Sequence, residues 1–177
     1  MEQYKNKYWD ENRDVKITVL TPTYNRKDTL LRTIRSIENQ DFLDWEYIIV
    51  NDGSTDNTDE VVEQFMQTTK HPVLYIKKEN GGVHTARNLG YKNAHGELLI
   101  NLDSDDEMLP DALKIIWSVW KKFQNKKKPN TVKLLLSLWT NKERELENPS
   151  RRILIECHGI KHGEHVINLV ENMLDAL

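Results

Sequence analysis

Four times along this chain an apolar run gives way to a cluster of polar and turn residues, and then to a segment with helical spacing. The runs are Lys16-Ile17-Thr18-Val19-Leu20-Thr21, stopped by Pro22, then Trp45–Val50, Val73–Ile76 and Leu98–Leu102. Their near-continuous apolarity suits strands buried on both faces, which is the condition of a parallel sheet. A helix is expected from about Asp28, with Leu30, Leu31, Ile34 and Ile37 on one face. A second carries Val61, Val62, Phe65 and Met66 behind a cap at Asn57 or Thr58, and a short third spans 84–94. Pro110 suits the first turn of a fourth, with Leu113, Ile116, Trp117, Trp120 and Phe123 inward. The alternation predicts an α/β domain, a mostly parallel sheet with helices on both faces.

In such sheets ligands bind beyond the carboxyl ends of the strands, and each polar cluster stands at such an end. Asp103-Ser104-Asp105-Asp106-Glu107 packs four carboxylates into one turn after the fourth strand. That density is costly unless a cation compensates it, and an oxygen-only donor set suits Mg²⁺ or Mn²⁺, ions that commonly accompany a phosphate. After the first strand, Thr21-Pro22-Thr23-Tyr24-Asn25-Arg26 offers a ring for a base and a cation for a phosphate. It is equally an ordinary turn capped by Thr23 or Asp28. After the third, Asn80-Gly81-Gly82 leads into a helix bearing Arg87, a side-chain-free approach suited to an anion. It is neither a dinucleotide fingerprint nor a P-loop, and His84 beside it reads as a surface histidine.

Two metal motifs are superficial. Asp52, Ser54, Asp56 and Glu63 approach EF-hand spacing, but Asn57 stands where glycine is required and the segment follows a strand. Asp52 is better placed at a strand tip, accepting hydrogen bonds from a base or ribose. Cys157, His158, His162 and His165 suggest zinc, yet Gly159 and Gly163 disfavour the shared helical face.

Bulk properties narrow the class. The 177 residues fit one domain, and a net charge of −3 gives no electrostatic case for nucleic acid. The single cysteine rules out an internal disulfide framework and fits a reducing compartment. No apolar stretch approaches the roughly 20 residues that span a bilayer, and no secretory signal opens the chain. A cytoplasmic location is expected, with peripheral association at the inner membrane face left open. Residues 1–14 read as a loosely held polar arm, 15–125 as the core and 126–177 as a segment of different character. Five of the eight residues in Lys121–Lys128 are lysine; Thr131–Trp139 and Ile153–Cys157 could be strands, and 164–177 has helical spacing.

Taken together, Thr21–Arg26, Val50–Asp56, Asn80–Gly82 with Ala86-Arg87-Asn88, and Leu102–Asp106 resemble the family 2 inverting glycosyltransferases of the GT-A fold, over about residues 15–125. The resemblance implies a Rossmann-like, nucleotide-sugar-binding core. It implies that Asp105 holds a divalent metal (Mn²⁺ or Mg²⁺) on the diphosphate, and that Asp103 contacts the ribose or the metal shell. Asp52 would recognise the base, Pro22, Thr23 and Tyr24 would frame it, and Arg26, Gly53, Ser54, Gly82, Arg87 and Ser104 would complete the donor site. The donor would be UDP-linked and the acceptor a glycan or a lipid-linked sugar. The family's base is usually an acidic residue beyond the metal motif; the nearest echo here is Glu164. The acceptor half is short or atypical, so a non-catalytic nucleotide-sugar-binding module, or an inactive truncated transferase, is the alternative. A nucleotidyltransferase would need a glycine-rich, lysine-bearing loop after the first strand, which Tyr24-Asn25-Arg26-Lys27 lacks.

Overall fold

A computed structural model describes residues 1–125 and 153–157. Its elements, in chain order, are β1 (Glu2–Lys5), β2 (Ile17–Thr23), α1 (Lys27–Glu38), β3 (Trp45–Asn51), α2 (Thr58–Thr68), β4 (Val73–Lys77), α3 (Val83–Asn93), β5 (Leu98–Leu102), α4 (Ala112–Asn125) and β6 (Ile153–Cys157). They form one six-stranded sheet of order β1-β4-β3-β2-β5-β6, in which only β1 runs antiparallel.

Alternation along each strand sorts the core into two layers. Ile17 and Val19 of β2, with Tyr47 and Ile49 of β3, face Leu30, Ile34 and Ile37 of α1, Val62 and Phe65 of α2, and Leu113 of α4. Leu20, Ile48, Val50, Leu74 and Ile76 face the other way, toward Ala86 and Leu89 of α3. The sheet is thus covered on both faces, as its unbroken apolar strands require. α3 lies very close: a Cβ at Gly90 would sit 2.3 Å from Leu20 Cδ1.

The chain fills the sheet from β2 through β3 to β4, then returns to place β5 on the opposite side of β2. The reversal between β2 and β5 is the switch point at which α/β sheets open a crevice.

Several local expectations change. The N-terminal arm is not loosely held. Residues 2–5 pair with 74–77 at the sheet edge, Asn6 Oδ1 accepts from Val73 N, and Trp9 packs into the α3 layer. All four β1 residues are exposed and none is aliphatic, so no apolar alternation announces the strand. Neither Asn57 nor Thr58 caps α2 through its side chain; Asp56 does, accepting from Thr58 N at 3.1 Å and Thr58 Oγ1 at 2.5 Å. In the fourth helix Leu113 is buried, and Ile116, Trp117 and Trp120 pack against the core. Residues 153–157 form the expected strand, parallel to β5. The side chain of Phe123, the suggested strand over Thr131–Trp139, the helical pattern of 164–177 and Glu164 lie outside the described residues. Among the described residues no helix is long and apolar enough to cross a membrane.

Candidate functional site

The loops after β2, β3, β4 and β5 meet at one edge; hydrogen bonds join the first three in series, and the last is held by α1 and α3. Asp52 is the centre of the first junction. It is 3% exposed, and its Oδ1 accepts from Lys78 Nζ and, at 3.0 Å, from Gly81 N, while Oδ2 accepts from Gly82 N at 2.7 Å. The carboxylate therefore shapes the glycine loop as well as standing at a strand tip. Gly53 makes the approach possible: its φ is +80°, and a Cβ there would lie 2.7 Å from Asn80 N. Gly82, at φ +89°, turns the chain into α3.

The second junction stitches the loops after β2 and β3. Asp52 N donates to Thr23 O at 2.9 Å, Asn25 N to Ser54 Oγ at 2.9 Å, and Thr55 N to Asn25 Oδ1 at 2.8 Å. Lys27 N donates to Asp56 Oδ2 at 3.2 Å, so Asp56 serves the first turns of α1 and α2 together. Burial works against its charge, but the bonds from Thr58 and Lys27 prevail and hold its carboxyl below the usual range. Neither Thr23 nor Asp28 caps α1. Thr23 Oγ1 is buried without a hydrogen-bond partner among the described residues, and Tyr24 leaves its ring half exposed.

The third junction carries the acidic turn. Asp106 N donates to Asp103 O at 3.1 Å, closing the turn, and Thr33 Oγ1 of α1 donates to Asp106 O at 2.7 Å. Ser36, also on the buried face of α1, and Gln40, buried just past its end, hold Met108 N, Leu109 O and Leu113 N. The charge density expected to require a cation is met in part by arginines. Arg87 Nη2 reaches Asp103 Oδ1 at 2.9 Å, Arg26 lies 3.8 Å from Asp105, and Arg32 lies 3.6 Å from Glu107. Ser104 is 7% exposed within the turn.

The expected donor-site residues Pro22, Thr23, Tyr24, Arg26, Asp52, Gly53, Ser54, Gly82, Arg87, Asp103, Ser104 and Asp105 all stand on these four loops or, for Pro22, Thr23 and Arg87, on the elements they join. His84 is exposed on α3. The sequence reading missed Lys78, Asn25 and Asn51. Asn51 orders the β3 tip by accepting from Ser54 N and donating to Asp59 and Tyr75. The one available signal was position, since Asn25 and Asn51 occupy strand-end turns where asparagine commonly bonds the backbone.

The donor set suits a divalent cation of a particular kind. Among the described residues no three His, Cys, Asp or Glu side chains converge as a cage. One or two carboxylates at an open turn match an ion that takes its remaining ligands from water and phosphate, as Mg²⁺ and Mn²⁺ do. Asp105 fits best, because its side chain is 48% exposed while that of Asp103 is held by Arg87.

Comparison with known proteins decides the family. Residues 18–126, more than half of the chain, match the model of glycosyl transferase family 2. The chain belongs to this family. Its glycosyltransferase relatives include GlyA of Streptococcus pneumoniae, 37% identical over 111 residues, which are 63% of this chain and 16% of the relative. The GalNAc(5)-diNAcBac-PP-undecaprenol beta-1,3-glucosyltransferase of Campylobacter jejuni is 39% identical over 103 residues, 57% of this chain and 33% of the relative. Among solved structures, Staphylococcus aureus TarS 1–349 in complex with UDP superposes with a TM-score of 0.58 at 30% identity, covering 61% of this chain and 32% of that one. The mannosyltransferase PcManGT of Pyrobaculum calidifontis, in complex with GDP-Man and Mn²⁺, superposes with a TM-score of 0.55 at 25% identity, covering 63% and 33%. The family 2 chain thus has the GT-A fold of these glycosyltransferases, and the matched part spans a third or less of each.

Proposed function

We propose that this chain takes a sugar from a nucleoside-diphosphate sugar, UDP-linked, and transfers it with inversion to a hydroxyl of a glycan or lipid-linked acceptor, in polysaccharide or glycan biosynthesis at the cytoplasmic side of a membrane. One observation carries the reading. The loops at the β2/β5 switch point bring a base-sized ring (Tyr24), a clamped acceptor (Asp52), two arginines and an open acidic turn to one sheet edge.

The residues divide the work by chemistry. Tyr24 and Asp52 face the base, and the Asp52-shaped loop at Gly81–Gly82 brings backbone close to the nucleotide at the start of α3, where a helix favours an anion. Arg87 orients Asp103, and its Nε, buried without a partner among the described residues, is the donor left over for the nucleotide. Asp105 and Asp103 would hold Mn²⁺ or Mg²⁺. Bound there, the ion supplies Lewis-acid stabilisation of the nucleoside diphosphate as it departs. Inversion needs an acceptor hydroxyl approaching from the face opposite the diphosphate and a base to take its proton. Glu164 is the candidate for that base.

Calorimetric binding of UDP, GDP and dTDP, each with and without Mn²⁺, tests the proposal. UDP with Mn²⁺ should bind best, and Asp105→Ala should bind it no better with Mn²⁺ than without. Mn²⁺-linked binding that persists in Asp105→Ala would refute the metal assignment. Saturable binding with neither transfer nor hydrolysis of the sugar nucleotide, across a panel of acceptors, would leave a binding module instead.

A further inference from the structure

We propose that Asn25 is the positioning residue of the donor site, setting Tyr24 and Arg26 by locking the loop after β2 onto the loop after β3. The role rests on the donor-site reading above, but it is argued from different atoms. Among the described residues Asn25 alone combines a side chain with positive φ, at +51°. A left-handed residue reverses the chain sharply, and asparagine bears that conformation at less cost than most side chains. Here the reversal falls between Tyr24 and Arg26, the ring and the cation assigned to opposite ends of a nucleotide.

Both ends of Asn25 are fixed to the same neighbouring loop. Its N–H donates to Ser54 Oγ at 2.9 Å, and its Oδ1 accepts from Thr55 N at 2.8 Å. Thr55 Oγ1 adds a longer contact to that oxygen at 3.4 Å. The partners are 29 and 30 residues away in sequence, on the loop that contains Asp52 and Gly53. The pairing closes a ring of bonds. Thr23 O receives Asp52 N on one side of Asn25, and Lys27 N reaches Asp56 on the other. Residues 23–27 and 52–56 are thereby one unit; Ser54 and Asp56 reach across from the second segment, and Asn25 is the residue of the first whose side chain reaches back. Arg26 needs that restraint most, because its only fixed anionic neighbour among the described residues is Asp105 at 3.8 Å, with both side chains about half exposed.

Three variants separate positioning from folding. Asn25→Gly keeps the left-handed turn and removes the acceptor, Asn25→Ala loses both, and Asn25→Asp keeps both. Hydrogen exchange at the Thr55 amide reads the stitch without any nucleotide, and calorimetry with UDP and Mn²⁺ reads the site. For Asn25→Gly we expect faster Thr55 exchange, a nearly unchanged melting temperature and an affinity about tenfold weaker, the loss of roughly one well-made hydrogen bond. Asn25→Asp should restore slow exchange and bring affinity within about threefold of the native chain, the change smaller than one such bond. Asn25→Ala should lose affinity and melt lower. Native affinity in Asn25→Gly, or unchanged Thr55 exchange, would overturn the inference. Equal loss in Asn25→Gly and Asn25→Asp would also overturn it, since the amide would then touch the nucleotide itself. A native chain that binds no nucleotide overturns the donor site, and positioning with it, and is told apart by a Thr55 exchange pattern that still follows the variants.

Discussion

Asp52→Asn tests whether a buried carboxylate holds the nucleotide loop or only faces the base. The carboxylate takes three bonds, two at Oδ1 (from Lys78 Nζ and Gly81 N) and one at Oδ2 (from Gly82 N). An asparagine of the same shape offers one oxygen and one NH₂. With its oxygen toward Lys78 and Gly81, the NH₂ opposes the Gly82 N–H, donor against donor. Turned over, it opposes two donors. The first orientation costs less. It leaves one partly buried donor unsatisfied, about 1–3 kcal/mol, makes the Gly81 bond a neutral one and strips the Lys78 bond of its counter-charge, about 1 kcal/mol each. Lys78, its side chain 16% exposed, loses its counter-ion but can swing toward water, which keeps the sum toward the low end. We expect a loss of about 3 kcal/mol, or a melting temperature lower by roughly 6–12 °C for a chain of this size.

Urea unfolding followed by tryptophan fluorescence measures the loss, since Trp45 is fully buried. Lys78→Met alone should cost about 1–2 kcal/mol, because the glycine bonds remain, and the double variant should fall short of the sum by about 1 kcal/mol or more. Stability unchanged to within about 0.5 kcal/mol in Asp52→Asn, together with lost UDP binding, would refute this reasoning. The carboxylate would then act on the base directly and not through the loop.

Two further outcomes follow from packing and charge. A Cβ at Gly96 would lie 2.3 Å from Thr18 N and 2.7 Å from Ile17 C, backbone atoms that cannot yield, so Gly96→Ala should cost about 3 kcal/mol in urea unfolding, whereas Gly90→Ala, opposed only by the side chain of Leu20, should cost about 1–2. Asp59 is buried in part, which opposes its charge, but bonds from Lys77, Tyr75 and Asn51 keep its carboxyl below the usual range. A depressed folded value means that its contribution is complete above the unfolded pKa, about 4, and is lost as pH falls through the folded one. Asp59→Asn should therefore lower urea midpoints near neutrality and flatten their decline below about pH 4, and an unchanged acid limb would contradict the assignment.

How much of this was legible depended on which forces wrote it. Strands β2 to β5 were legible because burial on both faces leaves an unbroken apolar run, as in Trp45–Val50, where even Glu46 is buried and satisfied by Thr18 and His95. β1 was not, because backbone pairing places Glu-Gln-Tyr-Lys at the sheet edge and leaves every side chain exposed. The acidic turn was visible as composition, but its supports were not. Thr33 and Ser36 look like solvated helix positions and Gln40 like an exposed turn residue, yet they lie buried and hold the backbone of 106–113. The Asn25 stitch joins residues about thirty positions apart through backbone donors, a pairing that no local pattern encodes.

The arginines around the acidic turn also sort its two candidate metal ligands. Asp103 meets Arg87 at 2.9 Å, with side chains 30% and 14% exposed, close and sheltered enough to hold the pair together. Asp105 meets Arg26 at 3.8 Å, with side chains 48% and 51% exposed, a separation and a degree of solvation at which an ion pair is worth little. A divalent cation at Asp105 would displace only that weak contact, whereas one centred on Asp103 would have to compete with a formed salt bridge. Such an exchange would free the Arg26 guanidinium from its carboxylate and leave it available to a diphosphate at the same edge. Under the proposed assignment, cation and donor would favour one another through Arg26.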